Sequence, residues 1–147
     1  MLTSNNNNFK RDIIVLTVAG TLSYILDITT SKDLYKNCMT TGPQVFISFH
    51  HYISIFSLFA WLSNNRKILI TNIILILCMY AHWMLNGNVC EWTRKTKEQC
   101  GINEDFRSII KVLFPNFGDE NRTNQIFYLL FSLLISIIKL TKFNNKK

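Results

Sequence analysis

The stretch ILITNIILILCMYAHWMLNGNVCEWT, residues 68–93, decides the fold class of this chain. It begins with an apolar run that is long enough to cross a bilayer, since a spanning helix needs about 20 predominantly apolar residues. The run ends at His82 and Trp83, and the polar turn at residues 86–88 separates it from Cys90. A tryptophan at the end of an apolar run is typical of a membrane interface. The stretch therefore predicts a membrane-spanning helix over about residues 68–86.

The composition of the chain also favours a membrane protein over a soluble one. Of its 147 residues, 48% are hydrophobic and 17% are charged, whereas charged residues make up about 25% of typical soluble domains. A soluble domain of this size exposes much of its surface, so it could not hide several long apolar helices from water. We therefore expect a single all-α integral membrane domain over residues 1–147.

Three further apolar runs complete the predicted architecture, a four-helix transmembrane bundle. The four spans are expected at about residues 13–28, 44–62, 68–86 and 126–140. Basic residues precede the first run, as in a signal peptide, but no small-residue cleavage site follows it, so we expect a retained helix. The connection between the second and third spans is so short that these two helices must be antiparallel neighbours.

An additional helix is predicted in the long segment between the third and fourth spans. Apolar side chains recur at helical spacing within residues 103–114, at Phe106, Ile109, Ile110, Leu113 and Phe114. This periodicity predicts an amphipathic helix that lies on the membrane or over the bundle. Pro115 follows directly and ends the pattern, because proline cannot continue a helix.

The net charge of +7 is concentrated in short segments beside the apolar runs. Basic residues dominate the amino-terminal tail, the turn between the second and third spans and the carboxyl-terminal tail. With four spans these segments fall on one side, and the positive-inside rule then places both termini in the cytosol. No recognised nucleic-acid-binding motif is present, so the expected partners are the bilayer and either another protein or a second copy of the chain, without nucleic acid.

Three of the four cysteines, Cys38, Cys90 and Cys100, fall on the predicted outer side. A disulfide persists there if that side is a lumen or the cell exterior. Cys90 and Cys100 are close in sequence and could pair easily. Cys38 could instead pair with either of them, or the thiols could be free, and spacing alone does not decide.

Ionisable residues inside the predicted spans define a candidate site: Asp27, His50, His51 and His82. Such residues are costly in a membrane and therefore invite a functional interpretation. Antiparallel spans would place all four in the outer half of the bilayer. The two adjacent histidines point about 100° apart on a helix, so they cannot both face the centre.

Weakly polar stripes at helical spacing indicate which helix faces meet. They are Thr17, Gly20, Tyr24 and Asp27 on the first span, His50, Ser54, Ser57 and Trp61 on the second, and Thr71, Leu75, Cys78, His82 and Asn86 on the third. Three hypotheses follow: haem ligation by His50 or His51 opposite His82, a proton relay or metal path through the same residues and Asp27, and a plain interhelical hydrogen bond between His82 and Asp27. We expect the last and therefore no cofactor, with haem or a metal as the alternative.

Residues 46–100 resemble a set of uncharacterised small membrane proteins. The resemblance rests on His51, on Trp61 and on the pattern His82-Trp83-x2-Asn86-x3-Cys90-x-Trp92-Thr93, in which Trp92 stands where leucine is expected. The richness in Asn, Lys and Ile is similar to that of proteins from AT-rich genomes, including large DNA viruses. The resemblance implies a fold type without an activity.

Motifs of enzymes are missing from the sequence, which contains no nucleophile motif, phosphate-binding glycine loop or HExxH. We therefore expect a membrane protein of structural or interaction type rather than an enzyme. The alternative hypothesis is a small transporter, channel or haem or metal redox protein that uses the intramembrane histidines.

Overall fold

The computed structural model describes residues 2–32, 35–36, 38, 41–87, 90–101 and 122–144. The all-α prediction is confirmed for this part of the chain, which is helical with short turns and contains no strand. The helices are α1 (Leu2–Thr30), α2 (Thr41–Phe59), α3 (Arg66–Leu85), α4 (Glu91–Cys100) and α5 (Arg122–Asn144), and a 3₁₀ turn at Ala60–Leu62 extends α2.

Four of these helices are long and apolar enough to cross a membrane, at Asn8–Thr30, Gly42–Leu62, Arg66–Leu85 and Ile126–Phe143. Each predicted span falls on one of them. Their surfaces carry many exposed large apolar side chains, among them Val18, Ile74 and Leu134. Contiguous apolar surface of this kind is rare on soluble monomers and suits contact with lipid.

The helices associate as two pairs that α2 connects. α1 lies along α2, α5 lies along α3, and α2 also contacts α3, α4 and α5. α1 and α2 approach most tightly at Gly20, where an added Cβ would lie 2.5 Å from Cδ1 of Tyr52. Glycine is needed at this position because any larger residue would push the Tyr52 ring away.

One end of the bundle, which we call the Lys139 end, is held by hydrogen bonds to the turn after α2. The Lys139 ammonium donates to the carbonyl oxygens of Leu62 and Ser63 at 3.2 and 3.1 Å. The Ser63 hydroxyl donates to the Asp12 carboxylate at 2.6 Å. These bonds bring the start of α1, the turn and the end of α5 together, so the basic residues beside them gather at the same end.

The opposite end, the α4 end, contains a helix that was not predicted. α4 has the polar sequence EWTRKTKEQC and lacks an apolar run, so hydropathy does not reveal it. It buries Thr96 and Cys100 against the bundle and ends at Gly101, whose φ of 64° is left-handed and suits glycine,. The predicted amphipathic helix at residues 103–114 lies outside the described residues.

The face of α3 that is buried differs from the predicted polar stripe. Thr71 and Cys78 of that stripe are exposed, whereas Leu69, Asn72 and Ile76 are completely buried. The prediction was wrong because it followed His82 along the helix. The buried face instead follows the contact with α5.

Small polar groups fill the centre of the contact between α3 and α5. Asn72 Nδ2 donates to the hydroxyls of Ser132 and Ser136 at 3.0 and 3.1 Å. Ser132 in turn donates to the carbonyl oxygen of Ser57 on α2 at 2.6 Å. Asn72 Oδ1 is buried and has no hydrogen-bond partner among the described residues. This polar centre joins three helices without any charged group.

Candidate functional site

A buried carboxylate, Asp27, lies at the centre of the α4 end. Its residue is only 2% exposed. Oδ2 accepts from the Tyr35 hydroxyl at 2.6 Å and faces His51 Nε2 at 3.1 Å, and Oδ1 accepts from the Ser31 hydroxyl at 3.3 Å. A buried charge is tolerated only when it is paired and hydrogen-bonded. Three convergent donors meet that condition at Asp27.

Both ring nitrogens of His51 are used to join α2 to α1. Nε2 faces Asp27, and Nδ1 lies 3.0 Å from the Ser23 hydroxyl. Because a carboxylate can only accept, we assign a proton to Nε2, and Ser23 donates to Nδ1 when the ring is neutral. The Tyr24 ring meets the imidazole edge-on at 6.0 Å between centroids. His51 is thereby fixed in one orientation.

Tyr35 connects this pair to a disulfide. Its ring is buried in one cluster with Cys38, Ile47 and Cys100, and its hydroxyl is the closest donor to Asp27. Burial raises the pKa of Tyr35, and the hydrogen bond to Asp27 raises it further. The phenol therefore stays protonated and remains a donor to the carboxylate.

The disulfide joins Cys38 to Cys100, with 4.9 Å between their Cα atoms. The suggested partner of Cys100, Cys90, is instead a free cysteine. The reason is α4, which separates Cys90 from Cys100 by its full length. At 1.5 Å per residue that separation is about 15 Å, whereas bridged cysteines have Cα atoms less than about 7 Å apart.

Gln44 at the start of α2 fastens the same loop a second time. Its Oε1 accepts from the Tyr24 hydroxyl at 2.5 Å, and its Nε2 donates to the Cys38 carbonyl oxygen at 2.8 Å. The loop after α1 is thus attached to α1, to α2 and, through the disulfide, to α4. We refer to Asp27, His51, Ser23, Ser31 and Tyr35 as the Asp27 network.

The other two predicted histidines, His50 on α2 and His82 on α3, interact with residues at the start of α4. The Glu91 backbone N–H donates to His82 Nε2 at 3.2 Å, so His82 satisfies a group that a helix start leaves unpaired. His82 Nδ1 lies 3.2 Å from Asn86 Nδ2. Burial raises the pKa of the Cys90 thiol, but hydrogen bonds from His50 and Thr93 outweigh this and lower the pKa to about 6.

The structure brings Asp27 together with His51, so the expected hydrogen bond between His82 and Asp27 is wrong. His50 and His82 instead contact the start of α4. Within the described ranges, no group of three or more His, Cys, Asp or Glu side chains is arranged to hold a metal ion. The network residues that sequence inspection missed are Ser23, Ser31 and Tyr35. Together with Asp27 these polar residues occur at every fourth position, which is the spacing of one helical face. The pattern extends past the end of the apolar run and could have identified them.

Ser23, His51 and Asp27 are the residue types of a hydrolytic triad, but their placement does not allow that chemistry. Ser23 is 1% exposed, and a nucleophile must reach a substrate carbonyl. At the other end of the chain of hydrogen bonds Tyr35 is equally buried. What the arrangement can do is hold α1, α2 and the following loop in one geometry around a buried charge.

No known protein family matches this sequence, and no curated protein and no solved structure shows significant similarity to it. Relatives therefore supply no function for the site. Its role is inferred from the geometry of the Asp27 network and from its position at the α4 end.

Proposed function

We propose that this chain is a multi-pass integral membrane protein of structural or interaction type, with both termini in the cytosol. The observation that carries the proposal is the closed Asp27 network. Its members are buried: Ser23 and Tyr35 are each 1% exposed, Asp27 2%, His51 3% and Ser31 8%. Carriers and channels need polar groups that water or substrate can reach, whereas groups that hold helices together are closed off from both.

The distribution of apolar and polar surface supports four membrane crossings. The sides of α1, α3 and α5 that face away from the bundle carry exposed isoleucine, leucine, valine and phenylalanine. The buried polar groups face neighbouring helices instead, as they should in a protein whose solvent is hydrocarbon. A bilayer around the four helices accounts both for the exposed apolar side chains and for the burial of the polar ones.

The direction of insertion follows from charge and from sulfur chemistry. Lys10, Arg11, Arg66, Lys67 and Lys142 are exposed near the Lys139 end, which the positive-inside rule assigns to the cytosol. The α4 end then lies outside, where a disulfide is stable. These two arguments use different residues and favour the same orientation.

The surface that binds a partner is α4 together with the loop that the disulfide joins to it. Arg94 pairs with Glu91 and Glu98 on its exposed face, which leaves a polar surface of mixed charge. The disulfide and the Asp27 network hold this surface rigidly on the bundle. A preformed rigid surface loses little conformational entropy when it binds another protein or a second copy of the chain.

A flux measurement tests the proposal against a transport function. Purified wild-type protein, Asp27→Asn and His51→Gln are reconstituted into liposomes that carry a pH gradient and a potassium gradient. The proposal expects all three to dissipate the gradients no faster than protein-free liposomes. A wild-type flux that Asp27→Asn abolishes would establish a transporter instead.

Labelling with a membrane-impermeant maleimide tests the orientation separately. In a Cys78→Ser background Cys90 is the free cysteine to be labelled, and it should react on intact cells. With Cys90 also changed to serine, the variant Thr141→Cys should react only after permeabilisation. The reversed pattern would place the termini outside and would overturn the topology.

A further inference from the structure

We propose that the Cys38–Cys100 disulfide is a redox-sensitive latch on the Asp27 network: when it is reduced, Tyr35 leaves Asp27, and the Asp27–His51 pair opens to water. The proposal adds a regulated state to the molecule. It depends neither on the direction of insertion nor on the nature of the partner.

A short backbone path runs from the disulfide to the carboxylate. Ser31 N–H donates to the Asp27 carbonyl oxygen at 2.8 Å, Tyr35 N–H to that of Ser31 at 3.1 Å, and Cys38 N–H to that of Tyr35 at 2.8 Å. These three backbone hydrogen bonds connect Asp27 to Cys38 through Ser31 and Tyr35. A displacement of Cys38 is therefore transmitted to Tyr35.

Tyr35 lies between the disulfide and the buried carboxylate. It is buried in the cluster that both disulfide cysteines form with Ile47, and its hydroxyl reaches Asp27 Oδ2 at 2.6 Å. The Tyr35 ring thus packs near the disulfide, while its hydroxyl donates to the buried Asp27 carboxylate. If the cysteines move apart, the ring loses the surface against which it packs. If the ring then moves, the carboxylate loses its shortest hydrogen bond.

Once the covalent bond is broken, the loop keeps a weaker contact with α2. The Gln44 amide still donates to the Cys38 carbonyl oxygen, but a single hydrogen bond contributes only about 1 kcal/mol net. The disulfide is a covalent bond between the loop and α4. Reduction therefore removes the covalent attachment of the loop to α4.

The chemical step is a two-electron reduction by a dithiol. One thiolate of the dithiol attacks a sulfur of the Cys38–Cys100 bond and forms a mixed disulfide, and the other cysteine leaves as a thiolate that takes up a proton. The second thiol of the reagent then displaces the remaining cysteine and closes its own disulfide. Two electrons and two protons pass from the dithiol to the two cysteines.

The burial of the disulfide determines how the latch responds. Cys38 is 0% and Cys100 is 3% exposed, so a reductant reaches the sulfurs only during local opening of the α4 end. Brief exposure to a reductant leaves the latch closed, and sustained reduction opens it. The open state presents a carboxylate and an imidazole to water, in place of a sealed network.

Chemical modification of the three histidines tests the proposal directly. In a Cys78→Ser/Cys90→Ser background, the oxidised and the dithiol-reduced protein are treated with diethyl pyrocarbonate, and modification is measured at each histidine by mass spectrometry. His50 is exposed and His82 is partly exposed, so both serve as internal controls that react in either state. His51 should be protected when oxidised and should react about tenfold faster when reduced, the change expected from losing one hydrogen bond to a charged group.

Two variants separate the latch from general unfolding. Cys38→Ala/Cys100→Ala should expose His51 without any reductant, and Tyr35→Ala, which removes the ring itself, should expose it while the disulfide is intact. Hydrogen exchange of α3 and α5 should be unchanged in both, because their shared centre at Asn72 does not involve the disulfide. Continued protection of His51 after complete reduction would overturn the proposal, and so would exposure that occurs only when α3 and α5 also open.

Discussion

The α4 end and the centre of the α3–α5 contact both bury polar side chains, but they solve the problem of burial differently. At the α4 end the buried group is a carboxylate, and three donors surround it. At the α3–α5 centre the group is the Asn72 amide, whose Oδ1 has no partner among the described residues. An uncompensated charge costs far more than an unpaired amide oxygen, so only the charged site requires a complete set of donors.

The two sites also differ in how they are anchored. The Asp27 network spans α1, α2 and a loop, and a disulfide holds that loop to α4. The Asn72 contacts lie between regular helices and need no covalent bond. The difference teaches that polar groups between helices can be held by helix packing alone, whereas a carboxylate at the edge of a bundle needs its loop to be fixed.

The largest effect is expected from His51→Ala, which removes one of the donors to the buried Asp27 carboxylate. Leaving a buried charge incompletely compensated costs about 3–5 kcal/mol in folding free energy. The measurement is unfolding in detergent followed by circular dichroism. The matched control is His50→Ala, whose side chain is exposed and contacts the Cys90 thiol instead of Asp27, so its replacement should cost clearly less stability. Equal effects of the two variants would contradict the special role of the Asp27 network.

A smaller effect is expected from Tyr35→Phe, which keeps the buried ring and removes only its hydroxyl. A hydrogen bond to a charged group contributes about 1.5–3 kcal/mol, so stability should fall by that amount. Tyr80→Phe is the control, because Tyr80 donates to a neutral acceptor, the Ile126 carbonyl oxygen, at 3.1 Å. If the control variant loses as much stability as Tyr35→Phe, the charge of Asp27 does not determine the strength of these bonds.

The opposite outcome is expected for Asn72→Leu at the α3–α5 centre. The change removes two hydrogen bonds to serine, but it also removes a buried acceptor without a partner, and hydrogen bonds between membrane helices average only about 0.6 kcal/mol. Stability should therefore change by less than about 1 kcal/mol. Ile76→Ala on the same buried face provides the control, and the cavity it creates should cost about 2–5 kcal/mol. A large loss in Asn72→Leu would remove the contrast between the two sites.

The same contrast explains how far the sequence alone could predict the molecule. The four long apolar helices were predictable because a continuous apolar run identifies a span without any knowledge of its neighbours. α4 was not, because its sequence is polar and its contacts with His82 and with Cys38 are made to residues outside the helix, Cys38 being 62 residues away. Elements held by tertiary contacts leave little trace in local hydropathy.

Candidate site residues were predictable by type but not by partner. Asp27 and the three histidines stood out because ionisable groups are unusual in apolar runs. Which of the two adjacent histidines faces Asp27 depends on the rotation of α2 about its axis, and periodicity could not determine that rotation. The polar stripe on α3 was assigned to the wrong face for the same reason, and Asn72 was overlooked inside the apolar run.

A pH-dependent effect on stability is expected from the titration of Cys90, which is hydrogen-bonded to His50 and lies outside the Asp27 network. Its pKa is lowered to about 6 from an ordinary value of 9.0, so the thiolate stabilises the folded protein. This stabilisation is complete above the pKa of the unfolded thiol and disappears as the pH falls through 6. The rate of alkylation by iodoacetamide should therefore rise with an inflection near pH 6.

His50→Gln should move this inflection toward higher pH without a large loss of stability, because His50 is exposed and supplies a hydrogen bond to the thiol. His51→Gln should leave the Cys90 inflection in place while lowering stability, since its ring serves Asp27 instead. The two adjacent histidines would then be assigned to different sites by two different measurements. An inflection that follows His51 rather than His50 would mean that the two sites are coupled and that their separation here is wrong.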